Sequence, residues 1–321
     1  MILIITADSD SSSYRVIDWF NYFDVPYIQL DKSEPIHIVD INISNNEIIF
    51  LLKIRDQIIS TSEISRIWYR RSAINFTNYK FQSEVNITFE NSINSHLKFE
   101  EDTLRAYFWH FLEERSLNKP SDNELNKYIA LETCKKFGIL IPESIITSDK
   151  QRLLEFLNEY DEIITKNGTQ GLSTGYKGNV FYGLTTKVTK RDIDTMGETF
   201  FPSFFQQMIQ KSFELRVFYI EGDFYASAIF SQSDEKTKID FRNYNGKKPN
   251  RTPPYELPTE LKKNLNSLMI ELNLNCGSID LLVDLSGNYY FLEVNPIGQF
   301  RQVSLPCNYH LEMIVAQNLM K

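Results

Sequence analysis

Tyr289–Phe300 reads YYFLEVNPIGQF, and the fold turns on why an apolar strand should carry Glu293 and end on Asn295 and Pro296. Burying an unpaired carboxylate in such a strand is strongly unfavourable. Upstream, SIDLLVDLSGNYYFLEVN (Ser278–Asn295) divides into two strands around Ser286-Gly287, a tight hairpin turn. An even-length loop centred there sets Asp280 directly opposite Glu293, and the strand period of two puts Asn295 on the same face. Leu282, Leu292 and Val294 fill the rest of the ribbon. Three oxygen-bearing side chains then converge, which is the donor type that hard cations such as Mg²⁺ take, with phosphates and waters completing the shell. The alternative is a pair of solvated edge acids. A slip of one residue would send Asp280 to the other face.

A second stretch bears on the choice. ITKNGTQGLSTGYKG places Lys166 at the end of a strand and then four glycines within Gly168–Gly178. Loops of this composition present backbone N–H groups to phosphate oxygens, and an adjacent lysine adds a point charge. The order is not that of a Walker loop. Alone it reads better as a mobile surface loop; beside a metal-type acid cluster, phosphate binding is the better reading.

The bulk numbers bound the rest. A chain of 321 residues suggests two or three domains in one globular unit. Composition is 42% hydrophobic and 24% charged, and no apolar run approaches the roughly 20 residues of a membrane span. MILIITADSD lacks a basic flank, so it reads as a first strand and not as a signal peptide. A net charge of -8 argues against a general nucleic-acid binder, leaving only a local basic groove as an alternative. Cys134, Cys276 and Cys307 form no CxxC pair and the four histidines are scattered, which suggests a reducing compartment, the cytoplasm, and no zinc site.

The first glycine is Gly138, so a dinucleotide fingerprint after the first strand is excluded. The order is nevertheless α/β. Strands are expected at Ile2–Thr6, VPYIQLD, EIIFLLKI and RIWYRR, with helices from Ser11 to Phe23 and from Phe99 to Glu114. WYRRS reads either as a strand end with solvated arginines or as a contact of the first domain with substrate or a second subunit. SLNKPSDN (Ser116–Asn123) reads as a linker. A helix bearing Ala130, Cys134 and Phe137 closes on Gly138. The hairpin FELRVFYI-EG-DFYASAIF and a last αββα stretch complete the chain.

Taken in order, Lys127, Lys166 with its glycine loop, QQMI (Gln206–Ile209), ELR (Glu214–Arg216), Asp280 and FLEVNPIGQF resemble the ATP-grasp ligases from about Pro120 to Gln302. ITKNGTQG, LEVNPIGQF and SLPCNYHLE look more narrowly like the graspetide branch, which makes omega-ester-containing peptides. MILIITADSDSSSYRVIDWF and WYRRS look like its grasp-with-spasm maturases. The resemblance implies an α/β (α+β) ATP-grasp fold of three subdomains: a pre-grasp domain at 1–118, a central one at 119–205 and a C-terminal one at 206–321. The nucleotide would lie between the last two. It implies that Lys127 and Lys166, with Gly168 and Gly171 of the loop, contact ATP phosphates. Gln207, Met208 and Ile209 would hydrogen-bond adenine through main-chain groups, and Glu214 would hold the ribose. Asp280, Glu293 and Asn295 would bind Mg²⁺. Arg216, and by position Arg242, would face the γ-phosphate and the activated carboxylate.

The plain alternatives are an exposed helical Lys127 and a structural pairing of Arg216 with Glu214 or Asp240. The implied activity is macrocyclisation of a ribosomal precursor peptide, leader plus core, by phosphorylation of a Glu or Asp side chain. A Thr or Ser hydroxyl or a Lys amine then displaces the phosphate. The implied enzyme is a homodimer with no nucleic-acid or membrane partner. Two other functions compete: a ligase adding a free amino acid to a protein or small acceptor, and a nucleotide-binding regulator without turnover.

Overall fold

The unbroken apolar run Ile2–Thr6 forms β1, buried along its whole length, as expected of a parallel strand covered on both faces. The computed structural model describes residues 1–7, 10–70, 72–77, 79–83, 86–168, 173–176, 179–182, 185–232 and 249–321. Asp10 caps α1 (Ser11–Tyr22), accepting from the Ser12 N–H. There follow β2 (Tyr27–Leu30), β3 (His37–Ile43), β4 (Ile48–Ile54), β5 (Gln57–Ser60), β6 (Arg66–Arg70), α2 (Ile87–Leu112) and β7 (Ser116–Leu117). Among the described residues, β2-β1-β6-β7 make a parallel sheet and β3-β4-β5 an antiparallel one.

Three expectations need correction here. Helix α2 starts at Ile87, well before Phe99, because Asn86 caps it and its first turns carry exposed Ile87 and Phe89 without an inward stripe. His37–Ile43 is a strand, with a bulge between Ile38 and Asp40 that breaks the alternation a reader would look for. Arg70 is not solvated: it is 2% exposed and its Nε donates to Asp10 at 2.8 Å. A buried cation demands such a partner.

SLNKPSDN is built structure, with Ser116, Leu117, Asn118 and Asp122 all buried. Burial pushes the Asp122 carboxyl up to about 6, against the opposing pull of the Lys119 N–H, which donates to it at 3.0 Å. A raised carboxyl binds its proton more tightly when folded. Its contribution is therefore intact below the ordinary pKa and declines as pH rises to about 6. Asp122→Asn should remove this slope. The stability difference, variant minus parent, should grow by about 3 kcal/mol between about pH 4 and pH 7 in urea titrations.

From Glu124 the chain builds α3 (Lys127–Lys136), β8 (Ser144–Asp149), α4 (Lys150–Tyr160), β9 (Ile163–Thr165), β10 (Ser173–Tyr176), β11 (Asn179–Tyr182), β12 (Thr186–Val188), α5 (Lys190–Asp194) and β13 (Thr199–Gln207). Then come β14 (Lys211–Ile220), β15 (Asp223–Ile229), β16 (Pro254–Tyr255), α6 (Thr259–Glu271), β17 (Cys276–Asp284), β18 (Tyr289–Asn295), α7 (Arg301–Cys307) and α8 (Leu311–Leu319). Helix α3 closes as expected, with Gly138 at φ +64. Two compact units result: Met1–Asn123 with His310–Lys321, and Glu124–Tyr309.

Within the second unit, strands β12-β9-β13-β8 carry α4 on one face, through Leu153, Phe156, Ile163 and Phe205. The sheet β16-β15-β14-β17-β18 is two-faced. Leu215, Val217, Ile279, Leu281 and Phe291 pack on Ala130 and Cys134 of α3 and on Leu265 and Leu268 of α6. Alternation then forces Glu214, Arg216 and Asp280 onto the opposite face. On β18 an extra residue between Phe291 and Glu293 leaves both Phe291 and Val294 in the core and turns Glu293 and Asn295 to that opposite face as well.

Candidate active site

The hairpin β17–β18 has the register that the site needs, reached by a different route from the expected one. The turn is odd: Asp284 N–H donates to Asn288 O at 3.0 Å, and Gly287 takes φ +86. Asp284 Oδ1 accepts from the N–H groups of Ser286 and Asn288, each at 2.8 Å. Hydrogen bonds from Asn288, its side chain foremost, hold that carboxyl below the usual range. Leu281 therefore faces Phe291, one residue off the even-loop register. A bulge at Leu292 restores it, so that Asp280 stands opposite Glu293 and Ser278 opposite Asn295. Sequence patterning expects the outcome but not the compensating pair of irregularities.

One strand further in, Arg216 of β14 lies in register with Asp280. Its Nη1 donates to both carboxylate oxygens, at 2.8 and 2.7 Å. On the far side, Lys127 at the start of α3 reaches the β18 edge and places Nζ 2.9 Å from Glu293 Oε2. The result is a row of four charges, Lys127, Glu293, Asp280 and Arg216, ordered plus, minus, minus, plus. Side-chain exposures of 23%, 11%, 13% and 10% leave little water to screen it. Like charges directly opposite on antiparallel strands repel, and each acid is balanced here by its own cation. Lys127 is thus neither surface decoration nor remote from the acids, and the partner of Arg216 is Asp280, not Glu214. Asn295 Nδ2 lies 3.4 Å from Glu293 Oε1.

Lys166 follows β9, its Nζ 5.6 Å from the centre of the Phe204 ring and 3.5 Å from the Leu292 carbonyl oxygen, that of the bulge residue. Gly168 passes so close to Tyr128 that a β-carbon there would sit 2.0 Å from its hydroxyl. Gly171 and Arg242 lie outside the described residues.

Glu214 is buried, and its Oε1 accepts from Lys211 Nζ at 2.5 Å and from Ser231 Oγ at 2.9 Å. Burial raises its pKa, with Lys211 pulling the other way. Sequence reasoning missed Lys211, because three residues along a regular strand point to opposite faces. A register shift between Lys211 and Phe213 brings the pair together. Gln207, Met208 and Ile209, with Glu162, Asp284 and Tyr290, line a cleft of about 370 Å³. The Gln207 N–H donates to Glu143 O and the Met208 N–H to Glu162 O.

The turn after β18 is fixed by a close approach. A β-carbon on Gly298 would lie 2.5 Å from Ser278 Cβ and 2.9 Å from Asn295 O. Neither neighbour can rotate away. Gly298→Ala is expected to cost about 1–3 kcal/mol in urea unfolding and to shift Asn295.

All three cysteines are buried, and burial pushes the Cys134 thiol up to about 12. A thiol so held is inert as a nucleophile. Among the described residues no helix is long and apolar enough to cross a membrane.

The row and the sheet that carries it can be set against known proteins. No protein-family profile matches the chain, and no curated protein matches it. Solved structures do match, and they show the ATP-grasp fold. A Chryseobacterium gregarium RiPP-associated ATP-grasp ligase, solved with ADP and a leader and core peptide, superposes with TM-score 0.76 at 24% identity, covering 99% of this chain and 94% of the other. The macrocyclase MdnC of Microcystis aeruginosa, bound to its precursor peptide MdnA, gives 0.75 at 24% identity, covering 100% and 99%. D-alanyl-alanine synthetase A of Vibrio cholerae gives 0.51 at 13% identity, covering 99% and 97%.

Proposed function

We propose that this protein is an ATP-dependent, ADP-forming ligase of the graspetide type, which cyclises a ribosomal precursor peptide by joining Glu or Asp side chains to Thr or Ser hydroxyls or to Lys amines. The observation that carries the reading is the charge row on the polar face of the C-terminal sheet, with Lys166 beside it, in a chain of ATP-grasp fold. The RiPP-associated ligase, solved with a leader and core peptide, and MdnC, bound to its precursor peptide, superpose with higher TM-scores than D-alanyl-alanine synthetase A. This favours a peptide substrate over a free amino acid.

The residues present fit a hard divalent cation. Asp280 and Glu293 stand directly opposite each other with Asn295 two residues further along the same strand, and each acid is balanced by a positive charge of the kind a metal would replace. When bound, Mg²⁺ would neutralise phosphate charge and fix its geometry. Asp280, Glu293 and Asn295 would hold it, with nucleotide phosphates and water filling the remaining positions. Lys166 and Lys127 would stabilise phosphate oxygens as point charges, and the Arg216 fork would steady the charge that spreads during transfer to the acidic side chain. Glu214, with Oε1 held by Lys211 and Ser231, would offer Oε2 to the ribose. The hinge at Gln207–Ile209 would contact the base.

Transfer of the γ-phosphoryl group to a peptide carboxylate gives an acyl phosphate and ADP. Attack by a hydroxyl or amine then breaks the acyl–phosphate bond, releasing phosphate and a proton. The roles of Gly168, Gly171 and Arg242, a homodimeric state and a cytoplasmic setting belong to the same proposal. Incubation of the purified protein with its precursor peptide and ATP tests the function. The peptide should lose the mass of one water per ring, and added amino acids should not be incorporated. Incorporation of a free amino acid would support the alternative ligase.

A further inference from the structure

The charge row does more than mark a site. As built, it is neutral: two carboxylates and two cations, each acid in contact with its own cation. A divalent cation arriving alone would be repelled by Lys127 at Glu293 and by Arg216 at Asp280 unless it displaced them. Displacing them would leave both groups in a mostly buried setting with excess positive charge and little water to receive it. A polyphosphate changes that balance. It carries negative charge into the row and offers Lys127 and Arg216 new oxygen partners as they leave the acids. A guanidinium suits this exchange, because its fork pairs with phosphate and carboxylate alike, and a lysine suits it as a point charge on a flexible stem.

We infer that Lys127 and Arg216 are internal counter-ions that keep the Asp280–Glu293 pair closed to a bare divalent cation, so that metal is admitted only together with a nucleotide's phosphates. The inference rests on the nucleotide-binding reading above and adds an order to it. Two details support it. Both cations are anchored on elements of the core: Arg216 in the central strand β14 and Lys127 on the first turn of α3. Each also reaches a different acid, Lys127 one oxygen of Glu293 and Arg216 both oxygens of Asp280, so that a metal approaching either carboxylate meets a cation already seated there.

Calorimetric titrations and thermal melts with Mg²⁺ alone and with Mg·ADP, on the intact protein and on Lys127→Met, test this. The intact protein should show no binding of Mg²⁺ alone and a clear upward melting shift with Mg·ADP. Lys127→Met should bind Mg²⁺ alone at least about tenfold more tightly than the parent. That gain should vanish in Lys127→Met/Glu293→Gln, which locates it at the row. Arg216→Met provides the independent repeat. A variant unfolded in buffer but folded by added Mg²⁺ supports the inference, and one that Mg²⁺ leaves unfolded opposes it. Equal affinity of parent and variants for Mg²⁺ alone would overturn it. The absence of any response to Mg·ADP in the parent would instead overturn the nucleotide reading itself.

Discussion

Glu293→Gln should lower ADP formation by about 10²–10³-fold, while the protein stays folded with a melting temperature near the parent's. The glutamine keeps the shape and the oxygen of the side chain but not its charge. Two consequences for stability oppose each other. Lys127 loses its anion, at a cost that the 23% exposure of its side chain limits. Asp280 loses a like charge directly across the ladder. Function has no such compensation, since one of the two carboxylates that would hold a metal is gone. Steady-state ADP release, with circular dichroism as the fold control, measures both. Lys166→Ala should show a similar loss, because the cation beside Leu292 O and the Phe204 ring has no substitute among the described residues of that strand. Unchanged turnover in both variants would be incompatible with the site.

Arg216→Met should be the most destabilising single change in the site, at about 3–5 kcal/mol in urea unfolding. Both Asp280 oxygens take their hydrogen bond from this one guanidinium nitrogen, and the Asp280 side chain is only 13% exposed. Removing the arginine takes this contact from a largely buried carboxylate that faces another carboxylate across the β17–β18 ladder. Methionine retains most of the stem's packing, so the loss reports the charge and not a cavity. The double variant Arg216→Met/Asp280→Asn should recover part of that loss, by about 1–3 kcal/mol, while remaining inactive. A cycle with no coupling would mean that the pair is held by something other than their mutual contact. Activity retained in the double variant would remove both residues from the chemistry.

How much of this was legible beforehand differs from residue to residue. The hairpin at Glu221-Gly222 and the helix ending at Gly138 follow from local turn chemistry, and both stand where expected. The pairing of Asp280 with Glu293 was also legible, because burial of one sheet face fixes register. It survived an odd turn only through the bulge at Leu292. Bulges defeat period counting, which is why β3 and the Lys211–Glu214 contact were missed. Long-range pairing is a different difficulty. Lys127 and Glu293 are 166 residues apart, and nothing local to either names the other. Arg70 likewise needs Asp10, 60 residues upstream, before its burial makes sense. The resemblance of the motifs pointed to the fold that the superpositions show and named Lys127, Arg216, Asp280 and Glu293 singly. What it did not supply was the pairing of each acid with its own cation.

The most direct test of the central claim is a calorimetric titration of a non-hydrolysable ATP analogue with Mg²⁺ into the intact protein and into Asp280→Asn/Glu293→Gln. Saturable heat in the parent and none in the variant is the expected result. Equal heats from both, or none from either, would contradict a nucleotide site built on these two acids.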